Sequence, residues 1–133
     1  MNERLKSLSE KLRGMTSQEA ADWLLDNYDI HSPNVGDVYT LVQHRSWRRK
    51  DQRRLAKKYL SNLPHASDRG YRAFLSFMAI PVFLDVLGNC CSLSRSEIDL
   101  LLYYLLPALH KNAKNASDKR EISKFIADLN SSG

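Results

Sequence analysis

Residues 68–87 read DRGYRAFLSFMAIPVFLDVL, and apolar side chains recur on almost every side of this stretch when it is drawn as a helix. A helix without a polar side is normally enclosed by other helices. We therefore predict one helix over 68–87 at the centre of the fold, kinked at Pro81 because proline removes a backbone donor. Asp85 stands almost alone there, so we expect its carboxylate to lie near solvent or to pair with an Arg of a neighbouring helix.

A second apolar stretch begins after Ser94-Arg95-Ser96-Glu97. This pattern is a capping box, in which the Ser and Glu side chains satisfy unpaired backbone N–H groups at a helix start. It predicts a helix running to about Leu109, which Pro107 either kinks or ends early. The two apolar helices form the predicted centre, where four side chains are expected to be nearly fully buried: Phe74, Met78, Leu101 and Leu105.

The rest of the chain also favours helices, because it contains only five Gly and four Pro and few β-branched residues. Thr16-Ser17-Gln18-Glu19 is another capping box. Apolar stripes at helical spacing predict further helices over 3–13, 16–28, 35–44, 47–63 and 118–129, with Ser46, Ser67 and Ser117 as N-caps. We therefore predict an all-α fold: a compact single-domain bundle of six or seven helices over residues 1–133, with two very apolar central helices.

The composition is that of a globular protein, with 43% hydrophobic and 26% charged residues among 133. The longest apolar runs are shorter than the ~20 residues that a membrane helix needs. We therefore expect no membrane partner, and the absence of an apolar leader at the N-terminus predicts a cytoplasmic protein. The only cysteines, Cys90 and Cys91, are adjacent and are expected to be reduced thiols.

Charge is concentrated in one stretch, Arg45–Lys58, which reads RSWRRKDQRRLAKK. It holds eight basic residues and a single acidic one, Asp51, whereas the whole chain has a net charge of only +5. The basic excess is therefore local, and a local basic block indicates a binding surface more strongly than a high overall pI does.

Helical spacing separates this stretch into two faces. Leu55, Ala56, Tyr59, Leu60 and Leu63 form one apolar arc, and the cations lie opposite, with Trp47 beside them. The candidate binding residues are Arg45, Trp47, Arg48, Arg49, Lys50, Arg53, Arg54, Lys57 and Lys58.

Three interpretations of the cationic face remain open. It is a solvated helix surface, or it binds the phosphate backbone of RNA or DNA without sequence specificity, with Trp47 stacking on an unpaired base. In the third, it docks on an acidic protein surface or on the acidic arc of the second helix, formed by Glu19, Asp22, Asp26 and Asp29, in a homo-oligomer. We favour nucleic-acid backbone binding and keep the protein-interaction module as the alternative.

The sequence lacks the patterns that are typical of metal binding or catalysis. Four His and two Cys are scattered without the paired spacing of a zinc site, so we expect no metal. There is no phosphate-cradling Gly-rich loop and no nucleophile-elbow pattern. The sequence therefore predicts a non-enzymatic protein without catalytic residues or a cofactor.

Overall fold

Helices account for all the regular secondary structure in residues 2–88 and 93–132, the part of the chain that the computed structural model describes. In chain order they are α1 (Glu3–Arg13), α2 (Ser17–Asn27), α3 (Gly36–Leu41), α4 (Arg49–Tyr59), α5 (Arg69–Leu75), α6 (Ile80–Gly88), α7 (Arg95–Asn112) and α8 (Ala116–Ser132). A 3₁₀ turn, Val42–His44, follows α3. The all-α prediction is confirmed, but these ranges hold eight α-helices where six or seven were expected. Cys90 and Cys91 lie outside the described residues.

The two predicted capping boxes are confirmed. The Glu19 backbone N–H donates to Thr16 Oγ1 at 3.1 Å, and the Thr16 N–H donates to Glu19 Oε1 at 3.0 Å. The same exchange between Ser94 and Glu97 spans 3.3 and 2.9 Å. These backbone hydrogen bonds favour the ionised carboxylate and lower the pKa of both Glu19 and Glu97. Local sequence therefore determines where α2 and α7 begin.

The predicted helix over 68–87 is wrong as a single element, because it divides into α5 and α6. A continuous helix would place the Pro81 ring against the carbonyl of Phe77, four residues earlier. The chain instead turns through 76–79, and Pro81 becomes the second residue of α6, where a missing N–H costs no helical hydrogen bond.

Two predicted N-caps are wrong and a third is displaced by one residue. The start of α4 lies at Arg49, with Arg48 rather than Ser46 at the N-cap position. At α5 the N-cap is Asp68, which makes no side-chain capping bond, but the hydroxyl of the preceding Ser67 accepts from the Arg69 N–H at 3.4 Å. The first turn of α8 is capped by Asn115, whose Oδ1 accepts from the Asp118 N–H at 2.8 Å, and not by Ser117. Several neighbouring residues can cap a helix, so composition alone did not single out the right one.

The core lies where α4 packs between α2 and α6, α6 packs on α8, and α5 packs on α3 and α7. Of the predicted apolar arc, Leu55, Ala56 and Tyr59 have no exposed surface, whereas Leu63 lies beyond the end of α4 and is half-buried. Burial of the four predicted core residues is confirmed: Phe74, Leu101 and Leu105 are 0% exposed and Met78 is 5% exposed. Among the described residues, none of the helices combines the length and apolar character that crossing a bilayer requires.

Candidate nucleic-acid interface

The acidic residue of the basic stretch, Asp51, is buried, with only 2% of its surface exposed. Its Oδ2 accepts from the Ser17 hydroxyl at 2.6 Å, and its Oδ1 accepts from Arg54 Nη1 at 2.9 Å. Ser17 Oγ also accepts from the Arg48 N–H at 3.0 Å. One serine of α2 thus joins the N-cap of α4 to the carboxylate one turn further along.

Burial alone would raise the pKa of Asp51, but the hydrogen bonds from Ser17 and Arg54 outweigh it, so the pKa lies below its ordinary value. Asp51 is therefore ionised at neutral pH. Its charge offsets that of Arg54 and is withdrawn from the surface.

Arg54 binds a second carboxylate, Asp22 of α2. The hydrogen bond to Asp22, followed by that to Asp51, raises the pKa of Arg54. The acidic arc of α2 is thus partly neutralised by α4 of the same chain. Self-association through these two arcs was part of the alternative interpretation, and part of their opposite charge is already used within the molecule.

Trp47 is buried and, contrary to the prediction, is not exposed beside the cations of α4. It is 6% exposed, and its Nε1–H donates to the Val42 carbonyl at 2.9 Å. The physical reason is that α4 begins two residues after Trp47, so helical spacing did not apply to it. Trp47 is not accessible for stacking on a base.

Arg45 lies over the Trp47 ring, with its guanidinium carbon 4.7 Å from the ring centre. Its Nη1 donates to the carbonyls of Leu12 at 2.6 Å and Met15 at 3.0 Å. These carbonyls belong to the end of α1 and the following turn, where helices leave unpaired acceptors. Arg45 therefore fastens the α1–α2 connection to the segment before α4.

Two further cations also have partners within the chain. Lys58 Nζ donates to the Leu25 carbonyl of α2 at 2.7 Å. Arg53 forms an ion pair with Asp85 of α6 at 2.6 Å, with 43% and 55% of the two side chains exposed. The Arg partner expected for Asp85 is thereby confirmed, and this pair lies at the surface.

The remaining four cations, Arg48, Arg49, Lys50 and Lys57, are exposed. None has a side-chain hydrogen bond or ion pair with residues 2–88 or 93–132. We call these four residues the free cationic face. Three of them adjoin the start of α4, where the N-cap residue makes no side-chain capping bond. The helix dipole therefore adds positive potential at the same end.

The free cationic face extends along α4 toward its C-terminal end. Arg49, Arg53 and Lys57 are spaced by four residues, so they form one row about 12 Å long on the helix surface. Asp51 is buried and adds no carboxylate to this surface, whereas Asp85 of α6 pairs with Arg53 in the middle of the row and leaves Arg49 and Lys57 free at its two ends. Such a surface suits an extended polyanion.

Elsewhere, a cavity of about 620 Å³ opens between the α5–α6 turn and the α7–α8 connection. Its carboxylate, Asp118, accepts from the Lys114 N–H at 2.9 Å and so serves the local turn. The described ranges contain no cluster of three or more His, Cys, Asp or Glu side chains able to hold a metal ion.

Comparisons of the chain with protein-family models, curated proteins and solved structures each find no match. The contacts and charges of the candidate interface are therefore the observations from which its function is inferred. Sequence reasoning missed Ser17 and the burial of Asp51. An acidic residue in the first turn of a basic helix is a helix-start signal and pointed to a structural role for Asp51, but no local pattern connects it to Ser17.

Proposed function

We propose that the protein binds the phosphate backbone of a nucleic acid through Arg48, Arg49, Lys50 and Lys57, without sequence specificity. It acts in this role as a non-enzymatic subunit that needs no cofactor. One observation supports the proposal above the others. The acidic residue of the basic stretch is buried and paired, so the charged side chains that the stretch exposes are all cations.

Binding of this kind rests on counterion release, because each phosphate that a Lys or Arg neutralises frees a condensed cation. Four phosphate contacts predict that log affinity falls with log salt with a slope of about −3.6 on duplex and about −2.8 on single strands. The burial of Trp47 leaves no stacking contribution from that ring. We therefore expect no advantage for single strands from base stacking.

Fluorescence anisotropy titrations with labelled duplex and single-stranded oligonucleotides, from 50 to 300 mM salt, test the proposal. The double variant Arg49→Glu/Lys57→Glu should lose affinity for every sequence alike and flatten the slope by about 1.8 on duplex and about 1.4 on single strands. Its thermal stability should stay unchanged, because both side chains are exposed and unpaired.

The matched control is Lys119→Glu/Lys124→Glu, which lowers the net charge equally from two exposed positions of α8. Equal losses in both double variants would show that overall charge, and not the free cationic face, governs binding. A wild-type protein that binds neither strand form at 50 mM salt overturns the proposal. An acidic protein surface would then be the partner class to pursue.

A further inference from the structure

The outer face of α7 is unusually apolar for a solvent-facing surface. Within the described residues, the two exposed large hydrophobic side chains are Leu100, 41% exposed, and Tyr103, 72% exposed, and both lie on α7. Pro107, one turn further along, is exposed as well. These positions are three and four residues apart and therefore form one stripe along the helix.

The Tyr103 side chain of this stripe is supported by a partly buried neighbour on the same helix. Tyr104 is half-buried against the core and meets the Tyr103 ring edge-on, with the ring centres 4.9 Å apart. An aromatic side chain that is restrained in the free protein loses little conformational freedom on binding. Contiguous exposed apolar surface of this kind is typical of protein contact sites.

Polar side chains of complementary chemistry border the stripe at its two ends. The carboxylates of Glu97 and Asp99 lie in the N-terminal half of α7, and the His110 imidazole and the Lys111 ammonium in the C-terminal half, all four exposed. Asp99 also forms an ion pair with Arg95 within the helix, at 3.4 Å.

The two carboxylates also lie on the same flanks of the stripe as their complementary residues. Asp99 and His110 are eleven residues apart and so differ by only about 20° around the helix. Glu97 and Lys111 are fourteen residues apart, differ by about 40°, and lie on the opposite flank of the stripe.

We propose that α7 packs antiparallel against α7 of a second copy of this chain, about a twofold axis close to Tyr104. In an antiparallel pair related by a twofold axis, residues on one flank meet residues of the same flank at the opposite end. That geometry brings Asp99 to His110 of the second copy and Glu97 to Lys111 of the second copy, each contact occurring twice.

The same register places Leu100 against Pro107 of the second copy and brings the two Tyr104 rings to the axis. The helix has 18 residues, a length of about 27 Å over which the two copies can meet. The face is complementary to itself, through an ion pair of Glu97 with Lys111 and a hydrogen bond of Asp99 with His110, and this complementarity selects a second copy as the occupant. The proposal does not depend on nucleic-acid binding by α4.

Sedimentation equilibrium tests the dimer directly. The wild-type protein should approach twice the chain mass of 15.3 kDa as its concentration is raised to 1 mM. Tyr103→Glu should raise the dissociation constant by about thirtyfold or more, the loss typical of a central aromatic anchor. The control Ser7→Glu introduces the same charge at an exposed position of α1 and should leave the dimer intact.

A charge exchange tests the antiparallel register. Asp99→Lys and His110→Glu should each weaken the dimer, and the double variant should restore it, because both cross-subunit contacts are then rebuilt as ion pairs. Circular dichroism should show the same helix content in every variant, and if Tyr103→Glu loses helix, the charge exchange alone decides. A wild-type monomer at 1 mM, a dimer indifferent to Tyr103→Glu, or a double variant without recovery overturns the proposal.

Discussion

Arg54 and Lys57 stand one turn apart on α4, carry the same charge and have opposite surroundings. Arg54 is shared between the buried Asp51 and Asp22 of α2, whereas Lys57 extends into solvent without a partner in the described part of the chain. The same division runs through the whole Arg45–Lys58 stretch. The cations with partners are Arg45, Arg53, Arg54 and Lys58, and the free cationic face is Arg48, Arg49, Lys50 and Lys57.

The difference shows that a dense run of basic residues serves two purposes. Half of the cations fasten α4 and its leading segment to α1, α2 and α6. A count of basic residues along the sequence therefore gives twice the number of cations that are available to a partner. Because the fastened cations hold α4 in place, the free ones project from a fixed helix and lose less conformational freedom on binding.

The largest expected effect is at Trp47, which lies in the basic stretch but belongs to the core. Trp47→Ala should lower the free energy of unfolding by about 3–5 kcal/mol, since it removes a buried aromatic side chain and leaves a cavity. Urea denaturation provides the measurement. Trp23→Ala is the control and should cost less, because Trp23 is only half-buried. A fully stable Trp47→Ala protein would contradict the assignment of Trp47 to the core.

The next effect is at the buried carboxylate that supports the fastened cations. Asp51→Asn removes a charge that accepts hydrogen bonds from Ser17 and Arg54 and should cost about 1.5–3 kcal/mol at pH 7. Because folding lowers the pKa of Asp51, its stabilisation is complete above the ordinary pKa and disappears as pH falls through the lower folded value. The stability difference between wild type and variant should therefore narrow from pH 5 to pH 3. A constant difference over that range would show that Asp51 acts through shape and not through charge.

A crossed pair of substitutions tests the division itself. Arg54→Ala should cost about 1–2 kcal/mol of stability, since Asp51 loses its cation, while leaving the salt slope of binding unchanged. Lys57→Ala should change stability by less than about 0.5 kcal/mol. It should also flatten the salt slope by about 0.7–0.9. Thermal melts and anisotropy titrations on the same two proteins measure both quantities. Equal behaviour of the two variants would contradict the division between cations with partners and the free cationic face.

The smallest effect concerns Arg53, whose ion pair lies at the surface. Asp85→Asn should cost less than about 1 kcal/mol, because a solvent-exposed ion pair contributes little. The released guanidinium joins the row of Arg49 and Lys57, so the salt slope on duplex should steepen by about 0.9. Asp128→Asn, an equal charge change on α8, is the control. If the slope does not move, Arg53 lies outside the binding surface.

Much of the fold was predictable because its signals are local. Thr16-to-Glu19 and Ser94-to-Glu97 capping boxes act within four residues, and the apolar arc of α4 follows from helical spacing alone. The break between α5 and α6 was harder to predict, because Pro81 is compatible with either a kink or a new helix start, and neighbouring packing decides between them.

The position of the candidate site in the sequence was predictable, but which residues of the basic stretch belong to it was not. Which cations have partners depends on residues about 30 positions away, such as Asp22, Asp85 and the Leu25 carbonyl, and local periodicity carries no information about those contacts. Trp47 was misplaced for a related reason. A shift of two residues in the start of α4 turns a predicted surface position into a buried one.

The ion pairs between α4 and its neighbouring helices also constrain how this sequence can change during evolution. Arg54 with Asp22 and Arg53 with Asp85 couple positions on different helices, so substitution at one member alters what is tolerated at the other. Among descendants of this chain, those positions should covary. Positions 48, 49, 50 and 57 should instead exchange Arg and Lys independently while conserving the sign of the charge.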